Sequence, residues 1–396
     1  MEQEEKTVSE EKREAAYFET MEVTGGSLYV QLLDKRSLAV FPAGQQGARL
    51  VTIEEEYRYK HCAADESRLY LADNDGKAFV VYGVENGKHT VYPLDCQEKI
   101  DNNILAVEKY GTCVFVISQY KGLMYLFDTE QETLMREDGL SHLLAERFGK
   151  QAEYMLWCWR AGRILYIRAS ADGECDMFLY DMAERKAERA PENLFPAKMA
   201  AACMFEDAVY ILEDQSHISI RKLNSQAREP ERICLTELYQ MLHRQGIEQV
   251  FSALAATKKN IWLFPSVFCD DIYIYDKETG NVEKHDGYPP DFAYDSGKKW
   301  AKISEIKERE GHIYVAARLS NYYLVIDTES GTGVWEPAFV TDLIPYYMET
   351  AQEKKDSAMY ECRDLSLESY LEYLPRYQPT VKEWENVGGR IWEKLK

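Results

Sequence analysis

The stretch DDIYIYDKETGNVEKHDGYP (residues 270–289) contains a strand pattern, a turn and the start of a second strand. Residues 272–275 form a short run of β-branched and aromatic side chains, which favours a β-strand. Residues 276–280 then supply turn chemistry, because Asp276 can accept backbone hydrogen bonds and Gly280 can adopt a positive φ. Val282 resumes a polar-flanked strand. The stretch therefore predicts a β-hairpin, which is only marginally stable in water unless it belongs to a larger sheet.

The same pattern recurs along the chain. Seven segments contain a short apolar and aromatic strand that precedes a hairpin, and they begin at Gly26, Ser67, Gly111, Gly162, Asp207, Asn260 and Gly311. Successive separations are 41, 45, 51, 44, 52 and 52 residues, measured between Leu28, Leu69, Val114, Leu165, Val209, Ile261 and Ile313. These separations agree with the lengths of propeller blades.

A further short strand precedes each of the seven segments. Examples are residues 62–65, 201–205 and 252–257, which are rich in small side chains. Small residues suit the innermost strand of a propeller blade, because blades crowd together toward the axis. Each repeat is therefore predicted to have four antiparallel strands, with residues 276–280 as the turn between the third and the fourth.

Four strand-turn endings resemble those of kelch-like and quinoprotein-like β-propellers. They are YLFDTE (125–130), FLYDMAE (178–184), IYIYDKETG (272–280) and YLVIDTESG (323–331). The resemblance covers residues 17–337 and implies an all-β, seven-bladed β-propeller, an architecture that does not select an activity. The repeat at residues 218–225 lacks the Asp-x-x-x-Gly turn, and the first repeat has Phe41-Pro42 in its place. A count of six or eight blades therefore stays open.

Two inserts have helical rather than strand periodicity. LSHLLAERFGK from Leu140 and LTELYQMLHRQG from Leu235 carry apolar residues at helical spacing. Each insert follows an outer strand and precedes the next inner one. We therefore expect both helices on the same face of the propeller.

The two ends of the chain fall outside the repeats. Residues 1–16 are predicted to be a flexible, charged N-terminus. Residues 338–396 are predicted to be a helical C-terminal extension, since Ser366 opens an amphipathic pattern and Thr380 with Glu383 forms a capping box. We expect this extension to pack either on the propeller or on a partner protein.

Composition limits the partners and the compartment. A net charge of −21 argues against binding to nucleic acid or to an acidic membrane surface, and it could favour a basic partner. Nine cysteines without a Cys-x-x-Cys pair are expected to be free thiols, which predicts a cytoplasmic protein. The charged start of the chain is unlike a signal peptide, and no run of about 18 apolar residues occurs in the sequence.

Local motifs for catalysis, cofactors and metals are missing from the sequence. It contains no Gly-x-Ser-x-Gly elbow, no phosphate loop, no dinucleotide fingerprint and no paired-histidine zinc spacing. Residues 73–76 (Asp-Asn-Asp-Gly) resemble the start of a calcium loop, but Val84 stands where an EF-hand needs a carboxylate. A hairpin turn explains the same residues. We therefore predict no cofactor and no metal site.

The candidate binding residues are expected around the channel mouth. Trp157 and Trp159 stand where other inner strands carry alanines, and alternation points both to the same side of their strand. They either pack between blades or reach toward the mouth. Comparable entry positions or neighbouring loops carry Lys60, His61, Asn103, Tyr120, Lys198, Phe268, Trp300 and Tyr322. A concave mouth with aromatic and polar side chains is a common place for ligand binding.

Two functions are consistent with this sequence. The leading hypothesis is a non-catalytic, cytoplasmic binding or scaffold module that recognises a protein, peptide or saccharide at the loop-rich face of the central channel. The alternative is a lyase, hydrolase or lactonase that acts on a carbohydrate-like molecule in the axial funnel. Catalysis would require carboxylates or histidines that converge on one cavity, whereas a mouth lined by aromatics and amides would favour binding.

Overall fold

The computed structural model describes sixteen segments of the chain. They are residues 18–24, 27–32, 37–42, 49–53, 56–95, 104–119, 122–150, 152, 155–191, 199–213, 218–224, 230–244, 251–265, 271–290, 303–317 and 322–337. The predictions for residues 1–16 and for a helical extension at 338–396 lie outside these residues.

The described residues form 28 strands in seven four-stranded antiparallel sheets. The first four sheets comprise β1 Phe18–Thr24, β2 Ser27–Leu32, β3 Ser37–Pro42, β4 Arg49–Thr52; β5 Tyr59–Ala64, β6 Arg68–Asp73, β7 Ala78–Gly83, β8 His89–Pro93; β9 Ile104–Tyr110, β10 Cys113–Ser118, β11 Met124–Asp128, β12 Thr133–Glu137; β13 Met155–Ala161, β14 Ile164–Ala171, β15 Glu174–Asp181 and β16 Lys186–Arg189.

The remaining three sheets complete the ring. They comprise β17 Met199–Phe205, β18 Ala208–Glu213, β19 Ser219–Asn224, β20 Glu231–Cys234; β21 Phe251–Ala256, β22 Asn260–Pro265, β23 Tyr273–Asp276, β24 Val282–Lys284; β25 Ile303–Arg309, β26 His312–Ala317, β27 Tyr322–Asp327 and β28 Gly333–Pro337. Each sheet uses four consecutive strands in chain order, so each is one blade.

The chain is an all-β, seven-bladed propeller, as the repeats predicted. The first strand of each blade is the innermost, and β1 contacts both β5 and β25, which brings the last blade against the first. Neither of these two blades borrows a strand from the other end of the chain. Side chains rather than strand exchange therefore close the ring.

Apolar clusters between neighbouring blades form the core. Between the second and third blades, the rings of Phe79 and Phe127 lie 5.2 Å apart, and the rings of Tyr92 and Phe127 lie 5.0 Å apart. Tyr70 stacks on Phe79 from the neighbouring strand. Each buried aromatic side chain removes a large apolar area from water, so the packing between blades supplies most of the hydrophobic stabilisation.

The hairpin predicted at residues 276–280 joins β23 to β24. Asp276 accepts hydrogen bonds from the backbone N–H groups of Glu278 and Thr279 at 2.9 and 2.6 Å. Gly280 has a φ of 75° and donates its N–H to the Asp276 carbonyl oxygen. The turn therefore uses both residues for the reasons that their chemistry predicted.

Both predicted helical inserts are present. Helix α1 spans Gly139–Phe148 and helix α2 spans Thr236–Arg244, and each connects a fourth strand to the next first strand. This connectivity places both helices on the face opposite the turns between first and second strands. Neither of these helices, the two in the described segments, has the length and apolar character of a membrane span.

Candidate functional site

The propeller axis contains an open cavity of about 580 Å³. Residues from the first strand of every blade line it, so its wall exists only because the ring closes. The cavity extends to the turns between first and second strands, where Gly162 and Glu310 contribute to the lining. We refer to that end as the turn-side mouth. The volume lies within the range of small-ligand and peptide side-chain pockets.

Six blades place a lining residue at the same height on the axis. Each of these residues lies two positions before the last paired residue of its first strand: Glu22, Glu108, Trp159, Cys203, Leu254 and Lys307. One level of the channel therefore combines two carboxylates, an indole, a thiol, a leucine side chain and an ammonium. No local motif marks this level, but it becomes visible when the inner strands are aligned on the turns that follow them.

Three ion pairs lie in this wall. Two of them join neighbouring blades, and the third joins two residues of one strand. Arg309 lies 2.8 Å from Glu22, and Arg160 lies 3.0 Å from Glu108. Lys307 lies 3.9 Å from Glu305 on its own strand and donates to the backbone carbonyl oxygen of Cys62 at 3.2 Å.

Burial controls the ionisation of these groups. Burial raises the pKa of Glu22, although Lys307 and Arg309 oppose that shift. Burial alone would lower the pKa of Lys307, but the carboxylates of Glu305, Glu108 and Glu22 outweigh it and raise the pKa above the ordinary value. Lys307 is therefore a fixed positive charge among three carboxylates.

The thiols beside this wall are not reactive nucleophiles. Burial raises the pKa of Cys62 and of Cys203 to about 12, and it raises the pKa of Cys158 as well. A thiol acts as a nucleophile or metal ligand in its deprotonated form. These cysteines are consequently neutral at physiological pH and behave as small apolar residues.

The other side of the cavity is apolar. The fifth and sixth blades line it with Ala201, Ala202, Ala253, Leu254, Ala255 and Ala256. Small side chains leave room at the axis, as the sequence predicted for inner strands. The cavity therefore has a charged wall that faces an alanine-rich wall.

The structure separates the two predicted tryptophans. Trp159 lines the cavity. Trp157 is half-buried, and the guanidinium of Arg168 lies 4.6 Å from its ring centre, which is a cation–π contact. Only Trp159 therefore reaches the channel directly, and a ligand would need to displace Arg168 to use the covered face of Trp157.

The remaining predicted binding residues are dispersed. His61 is half-buried on β5, and Lys60 lies on the same strand, with its side chain outside the described part. Tyr322 is buried in the apolar cluster between the sixth and seventh blades. The other five lie outside the described residues: Asn103, Tyr120, Lys198, Phe268 and Trp300. The ten-residue binding site stays a prediction.

The Asp-Asn-Asp-Gly segment forms the turn between β6 and β7. Asp73 accepts hydrogen bonds from the N–H groups of Arg58 and Lys77 at 3.0 and 3.1 Å, and Asp75 pairs with Arg58 at 2.6 Å. The side-chain oxygens of Asp73 and Asp75 thus serve the protein itself, whereas the buried Asn74 side-chain amide has no hydrogen-bond partner among the described residues. Among the described residues, no three His, Cys, Asp or Glu side chains group as metal ligands.

Comparisons with known proteins identify the architecture and no closer relationship. No family model matches the sequence, and no curated protein matches it. Over 1,000 solved chains are similar in structure, all the reported ones at low sequence identity. This chain is similar to YCF48 bound to D1 peptide, with a TM-score of 0.54 and 10% identity over 79% of this chain and 93% of that one.

Two further similar structures extend the comparison. A chain of the mitotic checkpoint complex has a TM-score of 0.50 and 13% identity over 77% of this chain and 85% of that one. The extracellular domain of a hybrid two-component system from B. thetaiotaomicron has a TM-score of 0.50 and 12% identity over 80% of this chain. The chain spans about 40% of that domain's length. At these identities the likeness establishes the β-propeller fold alone.

Proposed function

We propose that this protein is a non-catalytic β-propeller module that binds a protein or peptide through its central channel. One observation carries the proposal: an open axial cavity in which a wall that holds three ion pairs faces an alanine-rich wall. Charges that are already paired hold a fixed pattern for recognition and are poorly suited to shuttling protons.

Two further facts support this proposal. YCF48, a propeller of similar shape, has been captured with a bound peptide. All six cysteines of the described segments are free thiols, which fits a reducing compartment and a cytoplasmic location. A saccharide is the second ligand class consistent with the same cavity.

Partner recovery from the source cell tests the proposal. The full-length chain and its Trp157→Ala/Trp159→Ala variant would be used as bait, with quantitative mass spectrometry as the readout. We expect the variant to lose most of the partner signal. Met135→Ala/Val334→Ala, which alters exposed apolar residues of outer strands, is the control. Equal recovery by all three proteins, each with an unchanged melting temperature, would refute channel binding.

Catalysis is the second candidate, because one observation favours it. Glu22, Glu108 and Glu305 converge on Lys307, and burial raises the pKa of Glu308 in the same cavity. A carboxyl group with a raised pKa can act as a general acid in glycoside or lactone chemistry. The test is turnover of a panel of glycosides, uronates and lactones. A product that wild type makes and Glu308→Gln does not make would favour the enzyme.

A further inference from the structure

The charged wall of the cavity is not balanced. Five carboxylates and three cations of the described chain line the cavity: Glu22, Glu108, Glu305, Glu308 and Glu310, with Arg160, Lys307 and Arg309. The three ion pairs described above use all three cations. Glu308 and Glu310 remain without an ion pair in the part of the chain that the structure describes. Glu310 is exposed, Glu308 is partly exposed and faces Arg160 and Arg309 at longer range, and both carboxylates lie at the turn-side mouth.

One buried carboxylate oxygen in the same wall, on Glu22, also lacks a hydrogen-bond donor. The Glu22 side chain is 0% exposed, and its Oε2 atom has no hydrogen-bond partner among the described residues. Its other oxygen accepts from the Val23 N–H at 3.0 Å and pairs with Arg309. A buried carboxylate oxygen without a donor is unfavourable unless a further group supplies one. Glu22 is one of the residues that line the cavity, so this unmet acceptor adds to the preference of the charged wall for a hydrogen-bond donor.

Each cation of the wall already has a carboxylate partner and a backbone acceptor, so the cations are poorly placed to bind an anion. Arg160 also donates to the Gly162 carbonyl oxygen at 3.0 Å, and Arg309 donates to the Glu308 carbonyl oxygen at 2.9 Å. Lys307 donates to the backbone of the second blade as well as facing Glu305. The local field at the mouth therefore favours a positive ligand, and the chain's net charge of −21 favours its approach.

We propose that the axial cavity binds an alkylammonium group, carried by a lysine side chain of the protein or peptide partner, with Glu308 and Glu310 as its acceptors at the mouth. A lysine matches the chemistry of both walls, because its ammonium has three donors for carboxylate acceptors and its four-carbon stem is apolar, as is the alanine-rich wall. This inference rests on the proposed function and specifies the ligand chemistry.

Calorimetric titration of the full-length chain tests this assignment. The probes are a capped Ala-Lys-Ala peptide, the same peptide with an Nε-acetylated lysine, and free cadaverine. The wild type is compared with Glu308→Gln/Glu310→Gln. The control is Glu278→Gln/Glu283→Gln, which removes the same charge from exposed positions of the sixth blade. We expect about tenfold weaker binding of the lysine peptide by the mouth variant and less than about twofold by the control.

The outcomes separate this inference from the proposed function. Equal affinity for the lysine and acetyl-lysine peptides would overturn the assignment of an ammonium ligand. An equal loss of affinity for the lysine peptide in the mouth variant and in the control would also overturn it. Cadaverine binding as tightly as the peptide would identify a free diamine as the ligand and overturn the peptide assignment. If the lysine peptide does not bind while partner recovery still requires Trp157 and Trp159, the ligand chemistry is wrong and the binding function stands.

Discussion

The fifth residue of the strand-turn ending has a positive φ whatever its side chain. Gly280 and Gly331 have φ values of 75° and 73°, and Glu132 and Arg185, in the corresponding turns of two other blades, both have 53°. A residue with a Cβ pays roughly 1–2 kcal/mol for this conformation. Glycine is therefore preferred there but not required, which explains why the motif varies among blades while the turn does not.

Substitution of Gly280 isolates that conformational cost. A Cβ at Gly280 would meet no atom within 4 Å, so the backbone is the only source of strain. We expect Gly280→Ala to lower the free energy of unfolding by about 1 kcal/mol. Urea denaturation would measure it, with Glu278→Ala in the same turn as the control. An effect no larger than that of the control would contradict the explanation.

Glu213 provides a test of ionisation at a buried carboxylate. It accepts hydrogen bonds from Ser219, Arg221 and Arg232. Burial alone would raise the pKa of Glu213, but these donors outweigh it and lower the pKa. A lowered pKa in the folded state stabilises the protein above the unfolded-state value, and that contribution disappears as the pH falls through the folded-state value.

The expected outcome for Glu213→Gln depends on pH accordingly. At pH 7 we expect a loss of about 2 kcal/mol in the free energy of unfolding, because the amide cannot accept all of the donors. At pH 3 the difference from wild type should shrink. Denaturant titrations at the two pH values would measure it, and a difference that is unchanged or larger at pH 3 would contradict the assigned role.

Among the elements, helix α1 packs between the third and fourth blades, and one of its leucines comes close to a glycine of the third blade. Leu140 and Leu144 are buried in the cluster between the third and fourth blades, and Arg147 pairs with Asp176 at 2.7 Å. Gly122 has a φ of 59°, and a Cβ there would lie 2.4 Å from Leu144 Cδ1. The loop between β10 and β11 therefore favours glycine at position 122 for two reasons. Its φ is positive, and a Cβ would clash with the Leu144 side chain.

Gly122→Ala should displace the helix as well as strain the loop. We expect the free energy of unfolding to fall by about 3 kcal/mol and the amide hydrogens of α1 to exchange faster. Gly111→Ala is the matched control, because Gly111 has a similar φ of 56° and no atom within 4 Å of an added Cβ. If the clash matters, Gly122→Ala lowers the free energy of unfolding more than Gly111→Ala does. Only Gly122→Ala should then accelerate amide exchange in α1.

At the scale of the whole molecule, paired charges complete the ring. The first and last blades meet through Arg309 with Glu22 and through a 2.7 Å hydrogen bond from Thr20 to Glu305. Breaking a buried pair from one side leaves an uncompensated charge, which costs more than removing both partners. The contact that closes the ring is therefore also part of the cavity wall.

A double-mutant cycle tests this closure. Arg309→Met should lower the free energy of unfolding by about 3 kcal/mol, because it leaves the buried Glu22 carboxylate unpaired. Glu22→Gln should reduce that penalty, so the double variant is expected to be more stable than Arg309→Met alone. Denaturant unfolding of the wild type, the two single variants and the double variant gives the coupling free energy between Glu22 and Arg309. Strictly additive losses would show that the two side chains do not act together.

The blade count and both helices could be predicted from the sequence, since each depends on neighbours in the chain. Turn chemistry at Asp276 and Gly280 acts over five residues, and strand alternation acts over a few more. The binding site could not be predicted in the same way. Trp157 and Trp159 lie on an inner strand, but apart from Arg160 the charged residues that line the cavity come from other blades, and no local pattern indicates the pairing of Glu22 with Arg309.

The repeated four-stranded unit follows from the sequence alone, because hydrophobic alternation and turn residues are local properties. Which side chains share the axis depends on the closed ring, because closure joins residues as distant as Thr20 and Glu305, 285 positions apart. The ionisation of Glu22 and Lys307 is decided at the same stage. Burial at the axis depends on all the blades, and the pairs of Glu22 with Arg309 and of Glu108 with Arg160 each join two blades.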